Sequence, residues 1–83
     1  KEQDLYKKFA RFSQASWVGD MPAVGDRFQA QIRYHAGPIQ GRLISIGNVN
    51  EFSFDTPARG PTPGQVLVLY SGSQVIGGGI IEP

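Results

Sequence analysis

The segment Arg33-Tyr34-His35 carries the side chains of this chain that are best suited to binding a phosphate or an unstacked base. An arginine offers a fork of donors that matches phosphate oxygens, and a tyrosine offers a ring for stacking together with a hydroxyl. Alternation along the strand predicted here places Arg33 and His35 on its polar face and Tyr34 on the other. A solvated arginine beside a core tyrosine gives the same pattern and is the commoner arrangement, so the residues alone leave both interpretations open.

Gln65 is a second candidate for polar recognition. It follows Thr62-Pro63-Gly64, a sequence typical of a turn in which proline sets φ and glycine supplies a positive φ. An amide mounted on such a loop could hydrogen-bond a base or a ribose. Alternatively, the amide has a purely structural role and hydrogen-bonds backbone groups of the turn. The residue type alone favours that structural role.

The glycine run Gly77-Gly78-Gly79 lies inside a strand pattern and is followed by two isoleucines. A phosphate-binding loop would open a helix and carry Lys or Ser/Thr beside the glycines, and the sequence shows neither. We therefore predict that the glycines allow a sharp bend or the close approach of another backbone. Trp17 is predicted to plug a core, and Arg42 and Arg59 to be single solvated charges.

Composition excludes several classes of function. The 83 residues allow one domain, and the absence of cysteine excludes disulfides, a thiolate nucleophile and cysteine-based zinc sites. One histidine and scattered carboxylates do not predict a metal site, and no apolar run reaches the ~20 residues that span a membrane. Because the net charge is only +1, any RNA binding is expected to be local and weak, or shared with another domain.

Short strands separated by Gly and Pro must position these residues. Alternation in 27–35 predicts a half-buried strand, paired in a hairpin with the next one, where a bulge is expected at residues 43–44. The nearly continuous apolar run 65–70 predicts a strand covered on both faces, and prolines in 56–65 exclude regular strand there. The predicted fold is all-β, a small closed barrel of about six mostly antiparallel strands occupying residues 9–83 after a linker or frayed lead-in at 1–8. The predicted strands are 9–16, 27–35, 39–46, 50–55, 65–70 and 74–82.

Six short motifs follow one another over residues 12–82 and together resemble the C-terminal domain of the bacterial tRNA-specific 2-thiouridylases. Each motif alone is weak, whereas the spacing from the Arg-Tyr pair through Pro-Gly-Gln to the glycine run is specific. The motifs are Ser16-Trp17-Val18, Ile32-Arg33-Tyr34, Phe54-Asp55-Thr56-Pro57, Thr62-Pro63-Gly64-Gln65, Val68-Leu69-Tyr70-Ser71-Gly72 and Gly77-Gly78-Gly79-Ile80-Ile81.

The resemblance implies a β-barrel similar to those of translation elongation factors, placed after an N-terminal ATP-pyrophosphatase domain and a small central domain. The parent enzyme would use ATP to adenylate the oxygen at position 2 of the wobble uridine, and a cysteine persulfide would deliver sulfur. ATP and the catalytic cysteines would belong to the N-terminal part, so we expect no catalytic, cofactor-binding or metal-binding residue in this chain. The implied partners are tRNA, the other two domains and sulfur-donor proteins, in the cytoplasm and without a membrane.

The resemblance also implies that Arg33, Tyr34 and Gln65 contact tRNA. Arg33 would bind a phosphate or a base edge, Tyr34 would stack or donate through its hydroxyl, and Gln65 would hydrogen-bond the RNA. Members of the family often carry a further basic residue after the Arg-Tyr pair. This chain has His35 and Ala36 there, so the contact is expected to be weaker or dependent on pH.

Two classes of function are compatible with the sequence. An RNA-positioning domain would bring Arg33, Tyr34 and Gln65 to one exposed surface. A protein-interaction or interdomain-bracing barrel would instead show an exposed apolar patch and no clustering of these three residues. An independent small enzyme is not supported, because the sequence shows no nucleophile with a partner base and no group of metal-ligating residues.

Overall fold

The computed structural model describes residues 6–32 and 37–83. Their regular structure consists of six β-strands, and none of these residues forms a helix long and apolar enough to cross a membrane. The strands are β1 (Tyr6–Trp17), β2 (Arg27–Ile32), β3 (Ile39–Ser45), β4 (Val49–Arg59), β5 (Val66–Ser71) and β6 (Gln74–Ile81). The expected all-β fold is therefore confirmed.

The six strands close into one antiparallel barrel in the order β1-β4-β3-β2-β5-β6, and β6 returns to pair with β1. The predicted hairpin is present, with Ala30 opposite Ile39 and Arg27 opposite Arg42. The register shifts between Leu43 and Ser45, which confirms the predicted bulge. Closure leaves the sheet without a long free edge, and this removes the pairing surface that an open apolar sheet would present.

The barrel interior is filled by inward side chains from all six strands. Alternation along β4 buries Phe52 and Phe54, as the sequence predicts, and their rings meet edge to face with centroids 5.5 Å apart. Trp17 is half-buried at the end of β1 and packs against Phe12 at a centroid distance of 6.2 Å, in agreement with the predicted plug. The apolar residues buried here are Ala10, Phe12, Ala30, Ile32, Leu43, Phe52, Phe54, Ala58, Leu67, Leu69 and Ile81.

Asn50 is a buried polar residue that the sequence pattern did not indicate. Its side chain is 1% exposed. Its Oδ1 accepts a hydrogen bond from the backbone N–H of Gly47 at 3.0 Å, and its Nδ2 donates to the carbonyl oxygen of Phe12 at 3.2 Å. The amide therefore closes the β3–β4 turn and ties it to β1, which compensates for its removal from water.

Two boundaries differ from the predicted ones. β1 begins at Tyr6, so residues 6–8 of the predicted lead-in form strand, while residues 1–5 lie outside the described part of the chain. β4 continues to Arg59, and the expectation that prolines exclude strand from 56–59 was wrong. The register of β1 against β4 passes from Phe9↔Ser53 to Lys7↔Ala58, so Pro57 lies in a bulge where no ladder hydrogen bond is required of it.

The expectation that β5 is covered on both faces was also wrong. Leu67 and Leu69 point inward and are fully buried. Val66 is exposed, and Val68 and Tyr70 on the same outer face are only half-buried. A single closed barrel has one interior, and no second layer of the described residues covers the outside of β5.

The three glycines of β6 are in close backbone contact with both neighbouring strands, as predicted. A Cβ built on Gly78 would overlap the carbonyl oxygen of Leu67 in β5. Cβ atoms built on Gly77 and Gly79 would overlap the carbonyl oxygens of Ser16 and Ser13 in β1. The run thus permits β6 to lie between β1 and β5 at a separation that no side chain would tolerate.

We expect Gly78→Ala to lower the free energy of unfolding by about 1–3 kcal/mol or more, because the new methyl group meets backbone rather than a flexible side chain. Urea denaturation followed by tryptophan fluorescence measures the loss. Gly47→Ala is the matched control, since its Cβ would find its nearest neighbour, the Val49 carbonyl oxygen, at 3.9 Å. Equal stability of the two variants would contradict the close-approach interpretation of β6.

We expect Asn50→Ala to cost about 2 kcal/mol or more, because the Gly47 N–H and the Phe12 carbonyl each lose a partner inside the barrel. Exposed Asn48 in the same turn provides the control, and Asn48→Ala should change stability by about 0.5 kcal/mol or less. Thermal unfolding of both variants checks this prediction. A neutral Asn50→Ala would show that the two hydrogen bonds do not stabilise the barrel.

Candidate functional site

The two chain segments that carry the predicted binding residues leave the barrel at the same end. β2, β4 and β6 finish at this end, and β3 and β5 begin there; we call it the corner end. The β2–β3 connection contains Arg33 and Tyr34, and the β4–β5 connection contains Gln65. β2 pairs directly with β5, and Ile32 lies opposite Leu67 at the last register pair before the two connections.

The β4–β5 corner is a well-ordered turn rather than a loose loop. The N–H of Gln65 donates to the carbonyl oxygen of Thr62 at 3.2 Å, and Gly64 between them has φ +91°. Proline at the second position and a positive-φ glycine at the third are typical of a type II turn, so the predicted turn chemistry is confirmed. The corner is fastened to the end of β6, since Gly64 N–H donates to the Ile81 carbonyl and Ile81 N–H to the Gln65 carbonyl, both at 2.8 Å.

The Gln65 side chain has a structural task in this turn. Its Oε1 accepts a hydrogen bond from the N–H of Thr62 at 3.0 Å, which is the structural role that the residue type favours. The side chain is half-buried, and its Nε2, which carries both N–H donors, takes no part in this bond. The amide is therefore held in a defined orientation by one atom while the other supplies hydrogen-bond donors at the corner end.

Arg33, Tyr34, His35 and Ala36 lie outside the described residues, so their predicted roles stay predictions. The residues on either side of them, Ile32 and Gly37, both line one cavity of about 340 Å³ at the corner end. Tyr6 and Arg59 also line this cavity and are opposite one another in the β1–β4 ladder. No sequence pattern connects Tyr6 with Arg59, because their proximity depends on the β1–β4 register.

The outer face of β6 presents an apolar cleft. Its volume is about 350 Å³, and Gly78 in its lining contributes no side chain. All of its lining residues are uncharged, including the polar residues Gln14 and Ser16. This is the exposed apolar patch that a protein-interaction barrel would require. The apolar side chains of the lining are Val18, Val66, Val68, Val75 and Ile80.

Comparison with known proteins gives the chain a family and a set of relatives. A family model described as aminomethyltransferase beta-barrel domain matches residues 7–81. The tRNA-specific 2-thiouridylase of Halorhodospira halophila is 46% identical over 67 residues, which cover 80% of this chain and 18% of that protein. The enzyme of the same name from Desulfosudis oleivorans is 36% identical over 81 residues, 96% of this chain and 23% of the relative. A third, from Aliarcobacter butzleri, is 40% identical over 83 residues, which cover 94% of this chain and 22% of that protein.

The chain thus spans about one fifth of the length of these curated relatives. The family match includes all six strands apart from the first residue of β1. The predicted resemblance to the 2-thiouridylases is confirmed at the level of the whole barrel.

We expect Gln65→Ala to increase hydrogen exchange at the Thr62 amide by about threefold to tenfold, because that N–H loses its acceptor in the turn. Gln65→Glu retains an acceptor oxygen at the same position and should leave the exchange rate close to that of the wild-type chain. Amide exchange measured by NMR distinguishes the two variants. Unchanged exchange in Gln65→Ala would show that Oε1 does not hold the corner.

Proposed function

Since this chain belongs to the aminomethyltransferase β-barrel domain family, and its relatives are tRNA-specific 2-thiouridylases, we propose that it is the C-terminal tRNA-contacting domain of such an enzyme. The parent protein would replace the oxygen at position 2 of the wobble uridine by sulfur in an ATP-dependent reaction. This barrel would hold the tRNA while the reaction takes place elsewhere in the polypeptide.

The observation that carries the proposal is that two connections start from adjacent strands at the corner end. Arg33 and Tyr34 belong to the β2–β3 connection, and Gln65 is the last residue of the β4–β5 connection. Because β2 and β5 are hydrogen-bonded neighbours, the two connections leave from adjacent strands. An arginine for phosphate, a tyrosine for stacking and an oriented amide together form a set of groups suited to unpaired RNA.

The chemistry of sulfur transfer must lie outside this barrel. A persulfide is carried by a cysteine, and the chain contains none. We propose that ATP, the catalytic cysteines and the sulfur-donor proteins engage the remaining four fifths of the enzyme, which the relatives possess and this chain does not span. tRNA and the neighbouring domains of the same enzyme are then the direct partners of the barrel, in the cytoplasm.

A second candidate function is supported by the uncharged cleft over β6. Exposed apolar side chains such as Val18, which is 60% exposed, and Val75, at 42%, are suited to packing against protein. A barrel that braces the other domains, or docks a partner protein, would cover this cleft without touching RNA. Titration with RNA separates the two functions.

We expect an anticodon-arm RNA, titrated into the ¹⁵N-labelled chain, to shift amide signals of Arg33, Tyr34 and Gln65. The shifts should weaken as salt is raised, because phosphate contacts release counterions. With a net charge of +1, the isolated chain should bind with a Kd on the order of 10⁻⁴ M or weaker. Arg33→Gln and Gln65→Glu should each weaken binding by about 1–2 kcal/mol, because each removes a protein hydrogen-bond donor that would contact the RNA.

The control for Gln65→Glu is Gln74→Glu, which adds the same charge at an exposed position in the β5–β6 turn region, remote from the corner end. It should bind the RNA nearly as tightly as the wild-type chain. If no amide moves at millimolar RNA, the barrel does not contact this arm, and the bracing or docking function replaces the proposed one.

A further inference from the structure

The cavity of about 340 Å³ at the corner end lies where β4 leaves the pairing pattern of the barrel. The register pairs of β4 with β3 end at Phe54, and its pairs with β1 resume at Ala58. Residues 55–57 therefore form a bulge between the two ladders. Pro57 in this bulge and Ile39 at the start of β3 both line the cavity, so the bulge provides part of its wall.

The inner side of the cavity consists of small and apolar core residues. Ala30 on β2, Ile32 at the end of β2 and Ala58 on β4 are buried members of the core, and all three line the cavity. Alanine occupies little of the space that a leucine or phenylalanine would fill at the same position. The two alanines therefore leave room at this end of an interior that would otherwise be closely packed.

Tyr6 and Arg59 add an aromatic ring and a planar cation to this apolar lining. They form the first register pair between β1 and β4, so their side chains lie on the same face of the two strands, with Cβ atoms about 4.5–5.5 Å apart. Tyr6 is 42% exposed, and Arg59 is exposed as well. Core packing does not account for either side chain, because both remain in contact with solvent.

The charge that the described residues place at this cavity is positive. Arg59 is the charged residue among the described residues of the lining. Lys7 and Lys8 are exposed on the adjoining part of β1. Asp55, the carboxylate in the β4 bulge, forms an ion pair with Arg27. A ligand that combines an apolar planar part with negative charge is therefore favoured over a cationic one.

We propose that this cavity, which we call the Tyr6–Arg59 pocket and define by Tyr6, Arg59, Ala30, Ile32 and Ala58, holds one unpaired base of the tRNA. The base would lie against the tyrosine ring and the guanidinium, with its phosphate outside the pocket. Unstacked RNA bases are held by aromatic rings and guanidinium planes in this way. The volume of the pocket is at the small end of the range of roughly 300–1,000 Å³ that ligand sites occupy, as a single base requires.

The pocket adjoins the β2–β3 connection, because Ile32 before this connection and Gly37 after it both line the cavity. The corner that carries Gln65 leads into β5, the hydrogen-bonded neighbour of β2. This inference rests on the proposed function and deepens it, since it names an unpaired base as the group that is bound here. Neither the motif resemblance nor the relatives assign Tyr6 or Arg59 a role.

A protein side chain is the alternative occupant of the pocket, since tyrosine and arginine are also frequent in protein interfaces. Position and charge favour RNA. The pocket lies beside the connection proposed to contact tRNA, and its described lining contributes a cation. The cleft over β6 offers a protein partner an apolar surface whose lining residues are uncharged. The two cavities of the barrel are therefore chemically distinct.

The test is an NMR titration of the 83-residue chain with an anticodon-arm RNA and with an abasic strand of equal length. Tyr6→Leu keeps an apolar side chain but removes the ring, and should weaken RNA binding by about fivefold or more. It should leave binding of the abasic strand unchanged, because that strand offers phosphates without bases. Arg59→Gln should weaken RNA binding by about threefold or more. In the wild-type chain, the ring protons of Tyr6 should move upfield as RNA is added.

Two controls match these variants. Phe9→Leu removes another exposed aromatic ring from β1, at a position outside the described lining of the pocket. Arg42→Gln removes an exposed arginine from β3 and changes the net charge by the same amount as Arg59→Gln. Both controls should bind the RNA nearly as tightly as the wild-type chain. An ¹⁵N correlation spectrum of each variant verifies that the barrel is folded.

The outcomes separate the pocket from the rest of the corner end. If Tyr6→Leu and Arg59→Gln bind the RNA like the wild-type chain while Gln65→Glu binds more weakly, the pocket is overturned and the proposed function stands. If both pocket variants weaken binding and Gln65→Glu does not, the pocket is supported and the assignment of Gln65 is overturned.

The controls and the abasic strand decide whether a base is bound. A loss in Phe9→Leu as large as that in Tyr6→Leu, or an equal loss of Tyr6→Leu for both strands, would overturn the pocket. If the wild-type chain shows no response to RNA, the pocket and the proposed function are both overturned, and a protein side chain becomes the occupant to test.

Discussion

Closure of the barrel depends on β6 lying closer to its two neighbours than side chains at its centre would permit. Gly78 is in backbone contact with Leu67 of β5, and Gly77 and Gly79 contact the carbonyl groups of β1. Without this approach, β1 and β5 would end the sheet as two free edges lined by apolar residues. Close backbone approach therefore explains the glycine run without a ligand. The lack of side chains at these positions also leaves the cleft over β6.

The strand order of the barrel decides which connections are neighbours. Without the β2–β5 pairing, the connections that carry Arg33 and Gln65 would have no defined relation. In the barrel they leave adjacent strands at one end, and the β4–β5 corner is fastened to Ile81 of β6 by two backbone hydrogen bonds. The sheet thereby supports the predicted binding residues on its connections, as is common for binding sites.

The outside of the barrel is divided into two chemically different surfaces. The corner end carries the oriented amide of Gln65, while the cleft over β6 is lined by aliphatic and uncharged side chains. A domain that contacts RNA on one surface and protein on another would satisfy both of the function classes that the sequence left open. The choice between them is then a question of which surface is occupied when the domain functions, rather than of one surface with two uses.

Features that depend on local conformation could be predicted from the sequence alone. Alternation identified the strands, Pro63 and Gly64 identified the turn, the glycine run indicated close backbone approach, and the bulge at 43–44 followed from broken alternation. Features that depend on register and closure could not, because they join residues distant in the chain. The strand through Pro57, the burial of Asn50 and the open outer face of β5 were decided only when the strands paired and the sheet closed, since pairing and closure set which side chains become neighbours.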